Sequence, residues 1–105
     1  MPRESRQIAF NNNEVLDALC EFCRQTGRGL PTEQMLGLSF ANEAQITVYI
    51  QYSDEDTPPS TFTQSETAVA LIRYCNNNRI PIQKKARKWL EVKEDLLVLS
   101  MASET

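Results

Sequence analysis

The chain predicts an α+β protein: two or three helices packed on one face of a small, mainly antiparallel sheet of three or four strands. Three observations carry this. Asn11 with Glu14 and Thr63 with Glu66 each have capping-box spacing ahead of apolar residues that recur at helical intervals. Residues 45–52 alternate apolar and polar as a half-buried strand does. Residues 96–101 form an apolar run of strand length, suited to a central or well-covered strand. Runs of strands and helices in this order point to α+β layering. The 105 residues suffice for one compact domain over 1–105, and are too few for two separate cores.

Each element has a local reason. Residues 7–10 read as a short strand, and Asn11 then caps a first helix. Val15, Leu16, Leu19, Phe22 and Cys23 share one face of that helix, and Gly27 closes it. After Pro31, residues 35–40 read as a strand with Leu36, Leu38 and Phe40 on one face. In the next strand Ile46, Val48, Ile50 and Tyr52 point in, while Thr47, Tyr49 and Gln51 point out. Residues 41–44 are a connection of hairpin length, so these two strands pair antiparallel. Residues 53–62, with three successive acids and two prolines, make a surface loop. The second helix starts after Thr63, buries Ala68, Leu71, Ile72 and Cys75, and ends at Asn76 to Asn78. Pro81 suits the first position of a third helix with Ile82, Ala86, Trp89 and Leu90 on its inner face.

Composition bounds the function. The chain is 41% apolar and 24% charged, within the range of folded domains. No stretch reaches the roughly 20 apolar residues of a membrane span, and the N-terminus has no apolar core of signal-peptide length. The expectation is a cytoplasmic protein without a membrane partner, and three cysteines, an odd number, suit reduced thiols. Histidine is absent, which removes the commonest general base and metal ligand. No Gly-rich phosphate loop or G-x-S-x-G motif occurs. A non-enzymatic chain with no cofactor and no metal follows.

Charge is unevenly placed. Residues 73–93 hold seven of the eleven cations against one acid, Glu91, so this segment carries +6 in a molecule of −3. Such imbalance speaks to partners. On a third helix Lys84, Arg87 and Lys88 would face outward, with Lys85 beside the apolar stripe. Arg79, Lys84, Lys85, Arg87 and Lys88 are therefore the candidate residues for an anionic partner. The leading expectation is a small binding or adaptor domain that associates through this basic helix or a sheet edge, with an acidic protein surface or with itself. Thr47, Tyr49 and Gln51 are a candidate sheet-face contact.

Two alternatives come from motifs. Residues 64–92, a helix, a short turn and a basic helix, resemble a helix-turn-helix, which implies nucleic-acid binding. Against it, Glu91 would partly neutralise the basic face, and no Asn or Gln lies among the outward positions to read bases. Cys20 and Cys23 form a CxxC, so thiol redox chemistry is the third alternative. The pair falls two turns into a helix rather than at its N-terminus, which favours packing.

Overall fold

The computed structural model of the chain describes residues 3–31, 34–82 and 85–104. In chain order the elements are β1 (Arg3–Phe10), α1 (Asn12–Thr26), β2 (Met35–Asn42), β3 (Ile46–Tyr52), β4 (Ser60–Phe62), α2 (Gln64–Asn77), β5 (Arg87–Lys93) and β6 (Leu96–Glu104). The α+β class holds. In place of one sheet there are two of three strands each, all antiparallel, in the orders β1-β6-β5 and β2-β3-β4. The helices pack on each other and join the sheets, α1 against β1 and β2, α2 against β3 and β5.

Both helices start as their sequences predict. The Asn11 side chain accepts from the Glu14 N–H at 2.8 Å while the Asn11 N–H donates to the Glu14 carboxylate at 3.0 Å. Thr63 and Glu66 make the same exchange at 3.1 and 2.9 Å. The two ends are also alike in geometry and differ in residue. After α1, Gly27 takes the left-handed conformation with φ 74° and the Arg28 N–H reaches the Cys23 carbonyl at 2.9 Å. After α2, Arg79 takes that conformation with φ 56° and the Ile80 N–H reaches the Cys75 carbonyl at 2.8 Å. These are the long bonds of a Schellman ending, which favours Gly at the left-handed position.

The core runs through both sheets. From the first come Phe10, Leu90, Leu97 and Leu99, and from the second Ile46, Val48, Ile50, Tyr52 and Phe62. Val15, Leu19 and Cys23 of α1 and Ala70, Leu71 and Cys75 of α2 fill the space between. On α2 the fully buried face is Thr67, Ala70, Leu71 and Cys75, so the expected Ala68 and Ile72 lie at its margin, half-buried. Arg28 clamps the second sheet to both helices. Its guanidinium lies 4.3 Å from the Phe62 ring centre, donates to the Thr61 carbonyl at 2.6 Å and meets Glu66 at 3.1 Å.

The expected third helix does not form. The described residues of 79–86 are not helical, and 87–93 is strand β5, paired with β6 from Arg87↔Ala102 to Lys93↔Leu96. The cause is an ambiguity of period. Ile82, Ala86, Trp89 and Leu90 fit a helix, but from Lys88 onward Lys88, Leu90 and Val92 also alternate with Arg87, Trp89, Glu91 and Lys93. Long-range pairing with β6 decides in favour of the strand, setting Leu90 against Leu99 and Val92 against Leu97.

Candidate functional site

Four strands lie at sheet edges: β1, β5, β2 and β4. An open edge offers unpaired N–H and C=O groups to another chain, and proteins blunt such edges with charge or brevity. By sequence β1 carries Arg3, Glu4 and Arg6, and β5 carries Arg87, Lys88, Glu91 and Lys93. β4 is three residues long. β2, Met-Leu-Gly-Leu-Ser-Phe-Ala-Asn, is eight residues long and has no charge at all.

The burial of β2 matches its position. None of its residues is fully buried, and Met35, Leu38 and Phe40 stay half-buried at the margin of the core. Met35 pairs with Tyr52 and Gly37 with Gln51, so Leu36 is an extra residue, a β-bulge. The bulge corrects the expected inner face. Met35 takes the place beside the core that simple alternation gives to Leu36, and Leu36 is left 68% exposed. Around it, Leu36, Tyr52, Asp54, Glu55 and Pro59 line a shallow depression of about 260 Å³. The acidic turn behind it is braced by its own bonds, with the Asp56 N–H donating to the Asp54 carboxylate at 3.0 Å and the Thr57 N–H to the Asp54 carbonyl at 3.0 Å.

The outer face of this sheet gathers Thr47, Tyr49 and Gln51 as expected from alternation. Their cross-strand neighbours on β2 are Ala41, Ser39 and Gly37. Thr47 and Tyr49 are half-buried, and the exposed Gln51 donates to the Ser39 hydroxyl at 3.4 Å. This face therefore adjoins the β2 edge and shares its backbone.

The structure separates two members of the basic cluster, Arg87 and Lys88. Lys84 lies outside the described residues. Arg79 ends α2, and Lys85 stands exposed in the following loop. Arg87 and Lys88 are neighbours on a strand, so their side chains leave opposite faces of the sheet. Arg87 stacks 5.4 Å from the Trp89 ring centre, and the Lys88 ammonium donates to the Ala86 carbonyl at 3.0 Å. Arg73 lies elsewhere, 5.7 Å from the Phe22 ring centre and donating to Gln25 at 3.2 Å. The helix-turn-helix resemblance fails with the third helix, since residues 87–92 of its recognition element are strand.

Glu91 has a different role from the one a helix would give it. It does not neutralise Arg87 and Lys88 across helical turns. On the outer face of the first sheet its carboxylate accepts from the buried Ser100 hydroxyl at 2.8 Å, from Gln7 at 3.4 Å, and meets the Lys93 ammonium at 3.6 Å. The Ser100 hydrogen bond, followed by Lys93 and Trp89, holds its pKa below the ordinary carboxylate value despite partial desolvation.

Two of the three thiols pack in the core. Cys23 and Cys75 are buried and Cys20 is half-buried. Desolvation raises all three pKa values, with Asp17 adding to the effect at Cys20 and Arg28 opposing it at Cys23. A redox CxxC needs the reverse shift. Among the described residues no group of three or more Cys, Asp or Glu side chains is placed to hold a metal ion. Nor is any described helix long and apolar enough to cross a membrane.

Set against known protein families, curated proteins and solved structures, the chain matches none of them.

Proposed function

We propose that the chain is a non-enzymatic association domain that takes up a strand of another polypeptide along the free edge of β2. A single observation carries this: β2 is an eight-residue edge strand with no charge and no buried residue, beside edges that are charged or short. Strand addition supplies main-chain hydrogen bonds, and alternate side-chain contacts set specificity. Leu36 and the half-buried Leu38 and Phe40 are the apolar groups a partner strand would cover. Tyr49 on the adjoining face is of a type enriched at interfaces. An acidic partner draws less support from β5, where Arg87 and Lys88 leave opposite faces of the sheet. The free thiols favour a cytoplasmic setting for this association.

Position-specific photo-crosslinking in the native cell tests the proposal. A photoreactive side chain at position 36 is expected to give polypeptide adducts, and one at position 87 on the charged edge far fewer. Adducts concentrated at position 87, adducts with nucleic acid, or none at position 36 would sink it.

A further inference from the structure

We infer that the strand received by β2 is β2 of a second copy of this chain, antiparallel across a two-fold axis, so that two three-stranded sheets fuse into one of six. The inference rests on the edge proposal above and adds the partner and the register.

Self-pairing sets an edge against itself, and like charges placed opposite each other are destabilising. β2 meets that condition, having no charge; β5, with Arg87, Lys88 and Lys93, would bring cations together. An uncharged edge is an aggregation hazard unless something covers it. A two-fold contact covers both copies at once and closes the assembly, leaving outside only the charged β1 and β5 edges and the short β4.

Parity selects the register. The helix-covered face of one copy must continue as the helix-covered face of the other, so Leu38 and Phe40 must pair among themselves and not with Ser39 or Ala41. The axis therefore passes through a residue. At Ser39 it pairs Ser39 with its copy, Leu38 with Phe40 and Gly37 with Ala41, and reaches Leu36 and Asn42 at the ends. Moving it to Leu38 drives the bulge at Leu36 into the ladder; moving it to Phe40 leaves Gly37 without a strand partner.

Charge agrees with the antiparallel sense. Asp54 and Glu55 stand at the Leu36 end of β2. The Asn42 end carries both signs, Glu43 in the turn and Lys93 across a shared depression. Antiparallel pairing keeps the two acidic turns at opposite ends of the strand, six residues or roughly 20 Å apart at about 3.4 Å per residue, against a screening length of about 8 Å. Parallel pairing would set them side by side.

Light scattering and cysteine crosslinking test this. The unmodified chain is expected at twice its 12.0 kDa mass, and Ser39→Lys, which sets two cations directly opposite each other, at the monomer mass with its fold retained. In a Cys20→Ser background, Ser39→Cys should form a disulfide-linked dimer on mild oxidation, with at least a ten-fold lower yield for Ala41→Cys. The two copies of residue 41 would lie four residues apart along the strand, about 13 Å, beyond disulfide reach. Equal yields at 39 and 41 would overturn the register. A monomer at every concentration, with adducts at position 36 to a different protein, would overturn the second copy and leave strand addition standing. A monomer without such adducts would overturn both.

Discussion

The two sheets have the same number of strands and treat their edges in opposite ways. In β1-β6-β5 the apolar residues concentrate in the central strand, where Leu97, Leu99 and Met101 are buried, and both flanking strands carry charge. In β2-β3-β4 the central strand is equally buried at Ile46, Val48 and Ile50, yet the long flanking strand is apolar and half-covered. Charge on an edge costs little when water faces it and excludes another strand. Its absence along eight residues of β2 leaves that exclusion out, which is why the proposed association lies on this sheet and not on the other.

The largest effect that sharpens the contrast is a core truncation. Leu99 is fully buried in the central strand of the first sheet, so Leu99→Ala should cost about 2–5 kcal/mol in denaturant unfolding. Leu36→Ala, at a side chain 68% exposed, should stay within about 0.5 kcal/mol when measured under monomeric conditions. A large loss at Leu36 in the monomer would mean that β2 is part of the core after all.

Effects of intermediate size come from residues with left-handed backbone. Glu94 and Asp95, at φ 51° and 63°, link β5 to β6 in a two-residue turn of the type that favours Asn-Gly. Arg79 ends α2 in a position that suits Gly. Asp95→Gly and Arg79→Gly should each raise stability by about 0.5–1 kcal/mol, since relief of left-handed strain exceeds the extra freedom Gly gives the unfolded chain. Thermal or denaturant midpoints check this, and a loss at Arg79→Gly would show that its side chain matters more to the fold than its backbone.

Much of this architecture was legible in the sequence because it is local. Capping boxes, the Gly27 stop and the alternation of residues 46–52 depend on neighbours within a few positions, and each appears in the structure at the expected place. What was not legible depends on distant pairing. The segment around Trp89 satisfies helical and strand periods alike, and only β6, beyond the Glu94-Asp95 turn, distinguishes them. The division into two sheets and the edge position of β2 are matters of strand order, which local pattern does not encode. The lack of charge in residues 35–42 was visible, but it becomes informative only once the strand is known to have one neighbour. The pair Arg87 and Lys88 shows the reverse. Side chains that share a helical face are separated to opposite sides when Arg87 and Lys88 become consecutive residues of a strand.

The smallest effect concerns pH and lies on the β1-β6-β5 sheet. Glu91 has a folded pKa below its ordinary value, chiefly through the Ser100 hydroxyl. A depressed carboxyl pKa contributes stability that is present above the unfolded value and is lost as pH falls through the folded one. Stability should therefore decline on acidification below the ordinary carboxylate range, with Glu91 one contributor. Ser100→Ala removes the largest cause of the depression, so the Glu91 midpoint should move up toward its unfolded value, shrinking that residue's share of the acid loss. Carbon-detected NMR titration of the side-chain carboxyl reads the midpoint directly, and an unchanged midpoint in Ser100→Ala would show that Lys93 and Trp89 hold the carboxylate instead. Because Ser100 is buried and pairs with Trp89 across the strands, the same titration also reports whether the surroundings of Glu91 change on association. A constant midpoint between monomer and dimer would confine association to the other sheet.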